Sequence, residues 1–430
     1  MSSSSASALP LAEPSSLQDS SPGTLLQNFD AVGSRDSAVT NFGAEFEPPD
    51  QGLCVGNGFV LEPVNSAFLI YHRDGSKVLG PLNVNVLFDE GLKQLISDPR
   101  CYFDAPTHTW FAVVLFLNSA GTAARTDIAV SQSGDPTRPW TIYHLDATDD
   151  GTHNTPSHAG CPCLGDQPLL GLDGQNLYIS TNEFSILGLQ FNGAQIYAIA
   201  KSELISARPA HFVHFANLNV GGSVATSVQP AISSSVTPAE YFLSSLDPNG
   251  TTDNRIGVWA LTNPEKVVEG KVPTLSDLVI STETYGVPPK ADQKGSTSQL
   301  DSGDDRMQQV QLIQGNLWGS LGTVVTLRND PTPRAGVAWF KIHPSLKGAQ
   351  IGSAELLTQG YVASTGNFLL YPAIEASPTG TVTIDMTLSG STFYPSVADT
   401  VMTGEYIPPL ASQTSDGRRN WGTRVLEVQP

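Results

Sequence analysis

The sequence predicts an all-β protein, a β-propeller of about seven four-stranded blades whose last blade is incomplete. Three observations predict this fold. A hairpin pattern, in which a short strand, a tight turn and an alternating second strand follow one another, occurs six times. A further strand that ends in a polar turn follows most copies. Finally, 39 glycines, 31 prolines and little helical periodicity favour short strands and turns over helices.

The clearest copy is the segment 165–184, GDQPLLGLDGQNLYISTNEF, whose first strand opens at Gln167-Pro168. The residue equivalent to Pro168 marks each copy and is called its anchor. The anchors are Gly52, Pro99, Pro168, Pro230, Gln309 and Pro372, separated by 47 to 79 residues. Each interval has room for four strands. Such small sheets bury both faces only when they stack around an axis, as the blades of a propeller do.

Domain boundaries follow from composition. Residues 1–40 are rich in Ser, Pro and Ala, which predicts a disordered tail, and residues 41–430 are predicted to form a single propeller domain. After Asp399 the repeat lacks its opening strand. An open ring exposes unpaired backbone groups, so another segment is expected to fill the gap, with residues 38–46 as the candidate.

Charge and hydropathy exclude some functions. The chain has 22 basic and 41 acidic residues, a formal charge of −19, which repels phosphate backbones and anionic lipids. Nucleic acid is therefore not an expected partner. Membrane insertion is not expected either, because no apolar run approaches the ~20 residues of a membrane span. An extracellular or periplasmic monomer is predicted, with a leader that is not present in this chain.

The four cysteines of the chain are Cys54, Cys101, Cys161 and Cys163. The first two follow the anchors of successive copies by two residues, and the other two lie just before the third copy. Three pairings are possible, and one or two disulfides near adjacent inner strands are predicted. The alternative is a metal site at His153, His158, Cys161 and Cys163, but C-x-C is not the usual spacing of structural zinc.

The segment 146–164, between the second and third copies, is a long polar loop. Its three aspartates, Asp146, Asp149 and Asp150, offer the oxygen ligands that calcium prefers, although the full ligand periodicity of an EF-hand is absent. A calcium site is therefore a minor expectation at this loop. No other cofactor is predicted.

Several motifs together resemble one family. They are Pro48-Pro49-Asp50 with Gly56-Asn57-Gly58, Ser97-Asp98-Pro99-Arg100 with Trp110-Phe111, Gly165-Asp166-Gln167-Pro168 with Asn182-Glu183-Phe184, Asp305-Arg306-Met307, Tyr371-Pro372, and Glu405-Tyr406 with Asn420-Trp421-Gly422-Thr423. This series resembles a largely uncharacterised family of mostly bacterial, secreted propellers in the sialidase-like propeller group. The resemblance implies the fold and a secreted location, but no chemistry. This chain departs from the family after Asp399, where part of the last blade is missing.

Polar residues next to the anchors are the candidate ligand-binding site. The innermost strands of a propeller surround its axial channel, so residues that open these strands should converge on one mouth. The candidates are Asp50, Asp98, Arg100, Asp166, Gln167, Asp305, Arg306 and Tyr371. The structural alternative is that the repeated Asp-Pro and Gln-Pro pairs only fix the strand starts, and their recurrence in several blades favours that alternative.

Two functions follow. The favoured one is a secreted propeller that binds a glycan or another surface polymer at the channel mouth, or that scaffolds a protein partner. The alternative is a sialidase-like hydrolase or lyase that uses the carboxylates of Asp166, Glu183 and Glu405. A sialidase needs three arginines around its substrate's carboxylate, and only Arg100 and Arg306 are placed at the mouth. The sequence leaves open whether the protein is an enzyme.

Overall fold

A computed structural model describes residues 24–188, 190–248, 250–328, 330–377, 381–402 and 422–429 of the chain. Strands dominate these residues, which confirms the all-β prediction. The helices are α1 (Ser34–Thr40), α2 (Val84–Leu87), α3 (Lys201–Ile205) and a 3₁₀ turn at Pro264–Lys266. Within the described ranges, no helix has the length and apolar character needed to cross a bilayer.

A first strand, β1 (Thr24–Gly33), precedes α1, and three antiparallel sheets follow. Blade 1 comprises β2 (Cys54–Gly56), β3 (Phe59–Val64), β4 (Ala67–His72) and β5 (Lys77–Leu82). Blade 2 comprises β6 (Leu95–Asp104), β7 (Thr109–Leu117), β8 (Ala124–Ser131) and β9 (Trp140–Asp146). Blade 3 comprises β10 (Cys163–Leu172), β11 (Asn176–Ser185), β12 (Phe191–Ala200) and β13 (Phe212–Phe215).

A small hairpin, β14 (Asn219–Val220) and β15 (Ser223–Val224), separates blades 3 and 4. Blade 4 comprises β16 (Gln229–Ile232), β17 (Ala239–Ser245), β18 (Asp253–Thr262) and β19 (Thr274–Tyr285). Blade 5 comprises β20 (Met307–Ile313), β21 (Asn316–Leu327), β22 (Asp330–Lys347) and β23 (Gln350–Val362). Blade 6 has three strands, β24 (Asn367–Ala376), β25 (Val382–Gly390) and β26 (Phe393–Met402).

The innermost strands of successive blades are neighbours, as a propeller requires. Strands β2, β6, β10, β16, β20 and β24 each contact the next one in this order. Blades 3, 4 and 5 even pair in parallel at this inner layer, through Leu172 with Ile232 and Ala231 with Val310. Five of the six anchors lie within these strands, and Gly52 lies two residues before β2. The predicted propeller is therefore confirmed, and its last blade is incomplete over the part of the chain that the structure describes.

Apolar wedges between neighbouring blades hold the ring together. Trp110 and Phe111 are consecutive residues of β7 and are both fully buried. Because successive side chains of a strand point to opposite faces, they fill different wedges. Trp110 packs with Leu61 and Phe68 of blade 1, whereas Phe111 packs in the cluster that includes Ile179 of blade 3. Blade 2 thus buries one apolar face against blade 1 and the other against blade 3.

The ring closes through its two ends. Strand β1 pairs antiparallel with β27 (Gly422–Gln429), from Thr24 opposite Gln429 to Gly33 opposite Gly422. Strand β1 also contacts blade 1, and β27 contacts β26 of blade 6. Within the described residues, the seventh blade consists of these two strands and is incomplete. Another segment therefore fills the gap, as expected. That segment is β1, and not the candidate residues 38–46.

Two predictions about this region are wrong. Residues 38–46 do not fill the gap, because α1 and the turn after it occupy most of them. The predicted disordered tail also reaches too far, since β1 and α1 cover residues 24–40. The overall Ser and Pro content of the segment obscured a short amphipathic strand that carries Phe29 and Val32. Residues 1–23 lie outside the described residues, and a single domain over residues 41–430 stays a prediction.

The predicted disulfides are present. Cys54 of blade 1 pairs with Cys101 of blade 2, and Cys161 pairs with Cys163 in the loop before blade 3. The first bridge joins the innermost strands of two blades across 47 residues of sequence. The second bridge spans two residues and closes a local turn. The second bond uses both cysteines of the alternative zinc site, which the oxidised chain therefore cannot form.

Replacing both Cys54 and Cys101 by serine is expected to lower the free energy of unfolding by about 2–4 kcal/mol, because the bridge restricts a long loop of the unfolded chain. Urea unfolding without reductant measures the loss. The control is the double serine variant of Cys161 and Cys163, whose short loop should give the smaller loss. Equal losses in both variants would contradict the loop-length argument.

Candidate functional site

In four blades, a residue one or two positions before the anchor is in the left-handed backbone region. These residues are Asp50, Asp98, Gln167 and Tyr371, with φ between 43° and 60°. In blades 2, 3 and 6 the residue directly precedes the anchor proline and lies in a bulge of the strand ladder. A bulge bends the strand and re-aims its side chains. The bulge therefore turns a polar side chain outward in several blades. We call the surface that these side chains form the mouth.

Blades 1 and 2 contribute a pair of aspartates to the mouth. Asn65 holds them together, since its Nδ2 donates to Asp50 Oδ2 at 2.7 Å and its Oδ1 accepts from the Asp98 main-chain N–H at 2.9 Å. Burial and the neighbouring Asp98 carboxylate raise the pKa of Asp50 to about 6. The two carboxyl groups lie within hydrogen-bond reach of each other, so one proton between them relieves their repulsion.

Blades 3 and 5 meet across the mouth at Arg306. Its Nε and Nη2 donate to the two carboxylate oxygens of Asp304 at 2.7 and 2.6 Å, and its Nη1 donates to Gln167 Oε1. Asp166 is half-buried close by. Burial and the Asp98 carboxylate raise the pKa of Asp166 to about 6, although Arg306 opposes this shift. Residues from blades 2, 3 and 5 therefore share one electrostatic environment.

Arg100 and Tyr371 complete the mouth. The Arg100 guanidinium donates to the main-chain oxygens of Pro99 at 2.9 Å and Asp50 at 3.3 Å. Tyr371 is 48% exposed, and its hydroxyl donates to the Asp301 carbonyl at 3.1 Å. Burial of the hydroxyl and nearby carboxylates raise the pKa of Tyr371 to about 12, so the phenol stays neutral and offers a hydrogen-bonding edge.

Seven of the eight predicted ligand-binding residues thus gather at the mouth. The exception is Asp305, which is fully buried. Burial raises its pKa to about 8, with Asp304 and Asp253 adding to the shift. Successive side chains of an extended chain alternate in direction, so only one of two adjacent aspartates can face the channel. The structure gives that position to Asp304.

The predicted catalytic carboxylates do not form one cluster. Asp166 faces the mouth, whereas Glu183 lies on the neighbouring strand β11 and contacts His158 at 2.9 Å. The separation follows from the register, in which Asp166 pairs with Asn182 and Glu183 pairs with Gly165. Glu405 lies outside the described residues.

The predicted calcium ligands are not brought together either. Asp146 accepts from the Thr148 main-chain N–H at 2.9 Å, and Asp150 accepts from Thr152 in a local turn. Only Asp149 turns inward, where it is buried beside Glu183. The three aspartates of the loop therefore have different partners and do not form one site.

Two residues of the mouth were not predicted from the sequence, Asn65 and Asp304. Asn65 is buried and bridges two aspartates, and Asp304 fixes the Arg306 side chain. A sequence signal existed for Asp304, which directly precedes the Asp305-Arg306-Met307 motif. Their roles depend on contacts between blades, which a repeat pattern does not reveal.

A cavity of about 340 Å³ lies away from the mouth, beside blades 1 and 2. Among its lining residues are Phe42, Phe46, Asn83 and Leu92, and Lys93 is the one charged side chain. The lining also has amide and hydroxyl groups, but it has no carboxylate and no guanidinium group. The mouth combines carboxylates with guanidinium groups that can orient a ligand and is therefore the better candidate site.

No protein-family model matches the chain, and no curated protein matches it in sequence. Three solved structures with a similar shape are an exo-β-1,3-galactanase from Clostridium thermocellum, a Hadza microbial sialidase, and an N-acetylgalactosamine deacetylase from F. plautii in complex with blood group B trisaccharide. Their identities are 11%, 12% and 11%, and their TM-scores 0.33, 0.38 and 0.37. The alignments cover 87%, 82% and 95% of this chain and 81%, 65% and 94% of those chains. Likenesses this distant do not identify a substrate.

Proposed function

We propose that this protein binds a glycan, or another hydroxyl-rich surface polymer, at the mouth. The observation that carries this proposal is that four carboxyl groups, two guanidinium groups, an amide and a phenol from five different blades lie around one opening. Sugar hydroxyls both donate and accept hydrogen bonds, and an array of fixed acceptors and donors suits them. The exposed ring of Tyr371 adds an apolar surface on which a sugar ring can pack.

The disulfides support a secreted location for this activity. Two bridges in a chain of this size are typical of an oxidising compartment, such as the extracellular space or a periplasm. The ligand would then be a surface glycan or a glycosylated protein of the surroundings. The strong negative charge favours neutral or cationic polymers over anionic ones.

A glycan array tests the proposal with the wild type and single variants. Asp166→Asn and Arg100→Ala are each expected to weaken binding at least tenfold, because they remove polar groups that the ligand would contact. The control is Asp277→Asn, which changes an exposed aspartate on β19, the outermost strand of blade 4. Binding that is equal in all four proteins, or absent in the wild type, would refute a glycan site at the mouth.

The second candidate function is hydrolysis of a glycan at the same mouth. It is favoured by the raised pKa of Asp166, about 6, because a general acid must be protonated near the working pH. The Asp50–Asp98 pair offers a second carboxyl system. An activity screen on every bound glycan separates the candidates. Turnover that Asp166→Asn abolishes would support the enzyme, whereas binding without turnover would support the binding protein.

A further inference from the structure

A second polar cluster lies in blade 3, away from the mouth, and consists of Asp149, His158 and Glu183. Ligand atoms of the three residues all lie within 4.8 Å of one another. His158 Nδ1 is 2.9 and 3.0 Å from the Glu183 carboxylate oxygens and 3.7 Å from Asp149 Oδ2. The Asp149 and Glu183 residues are each 1% exposed, and the His158 side chain is 10% exposed.

Within the described part of the chain, no lysine or arginine forms an ion pair with this cluster. Among the described ion pairs, Asp149 and Glu183 share only His158 as a basic partner. A comparable cluster in blade 2, Glu90, Asp127 and His144, shows the contrast, because Arg125 contacts both of its carboxylates. Two buried carboxylates that face each other without a fixed cation require a shared proton or a bound cation.

One oxygen of the cluster has no partner. Asp149 Oδ1 is buried and makes no hydrogen bond within the described residues. The other oxygen, Asp149 Oδ2, accepts from Gln195 Nε2 at 3.1 Å. A buried carboxylate oxygen without a donor is costly, so an occupant at this position is favoured.

Hydrogen bonds around Gln195 fix the orientation of Asp149. Gln195 Oε1 accepts hydrogen bonds from Tyr197 Oη at 2.6 Å and from His214 Nε2 at 2.7 Å. These bonds leave the Gln195 amide only one orientation, in which its NH₂ group points to Asp149. In metal sites, residues that do not touch the metal typically hydrogen-bond to the ligating side chains and hold them in place. Gln195 has this position relative to Asp149.

The loop between blades 2 and 3 positions His158 over Glu183. The His158 main-chain N–H donates to the Asp149 carbonyl at 2.9 Å. The Cys161–Cys163 disulfide closes the loop three residues later, and the Ile186 N–H donates to the Pro162 carbonyl at 2.9 Å. These contacts tie the loop to the end of β11, so two ligands from the loop and one from the strand meet without a large rearrangement.

We propose that Asp149, His158 and Glu183 bind a divalent transition-metal ion, with Zn²⁺ as the best match. One imidazole nitrogen and two carboxylates suit zinc, whereas calcium and magnesium prefer oxygen ligands alone. The three protein ligands leave a fourth position for water or an exogenous ligand. The site differs from the calcium set Asp146, Asp149 and Asp150, and from the cysteine–histidine zinc set, and it does not depend on ligand binding at the mouth.

Zinc titration of the EDTA-treated full chain, without reductant and against a chromophoric chelator, tests the proposal. The wild type is expected to bind one equivalent of Zn²⁺ and to unfold at a higher temperature when it is loaded. His158→Ala and Glu183→Gln are expected to weaken binding at least 100-fold. Gln195→Ala should weaken it about 10–100-fold, since it removes only the support of a ligand.

Two variants with unchanged ligands serve as controls. His144→Ala alters the blade 2 cluster that Arg125 already neutralises, and Asp150→Asn alters the neighbour of Asp149, so both should keep wild-type affinity. Unfolding in EDTA verifies that each variant is folded, and His158→Gln replaces His158→Ala if the latter is not. The proposal is overturned if the wild type binds no zinc, if the His158 variant retains full affinity, or if binding requires reduction of the Cys161–Cys163 bond.

Discussion

Replacing Val32 by aspartate is expected to cost more than about 4 kcal/mol of folding free energy, or to unfold the protein, because it buries an unpaired charge. Val32 is fully buried on β1 and packs with Val60, Leu69 and Tyr71 of blade 1. This cluster attaches the closing strand to the ring. If the strand is released, the backbone of β27 loses its partner and the propeller is left open.

The matched control is Leu26→Asp, because Leu26 lies on the same strand but is 46% exposed. This substitution is expected to change the free energy of unfolding by no more than about 0.5 kcal/mol, as is usual for surface substitutions. Urea unfolding, followed by tryptophan fluorescence, compares both variants with the wild type. If Val32→Asp is as mild as Leu26→Asp, then β1 does not close the ring.

Asp305→Asn is expected to make the protein more stable than the wild type at neutral pH, by a margin that grows with pH. Burial raises the pKa of Asp305 to about 8, whereas an aspartate of the unfolded chain has its model value of 3.8. Between these values the folded state keeps a proton that the unfolded state has released. The wild type therefore loses stability as pH rises through this interval, by about 1.4 kcal/mol per pH unit for this group.

Asparagine has nearly the same shape as the protonated acid and does not ionise, so the variant lacks this loss. Free energies of unfolding at pH 5 and pH 7, at constant ionic strength, measure the difference in slope. Asp89→Asn makes the same chemical change at an exposed residue whose left-handed backbone asparagine tolerates, and it should keep the wild-type slope. Parallel curves for the wild type and Asp305→Asn would show that this carboxyl is ionised in the folded protein at pH 5.

Much of the candidate site was predictable from the sequence because it repeats. A polar residue before an anchor proline recurs in several copies, and equivalent positions of a propeller face the same end of the channel. The structure brings Asp98 and Gln167 to the mouth, and their ligand-binding role stays a prediction. The reasoning does not hold for Asp305, because only one of the adjacent residues Asp304 and Asp305 faces the channel and the local sequence does not indicate which one.

The sequence by itself determined the repeated blades and their inner strands, because short-range alternation and repetition encode these features. Only the tertiary structure decided which cysteines pair, how the ring closes and which charged groups meet in blade 3. Strand β1 pairs with a segment at the opposite end of the chain, and Asp149 meets Glu183 through a loop that folds back. Such contacts depend on how all blades stack together, so no local pattern records them.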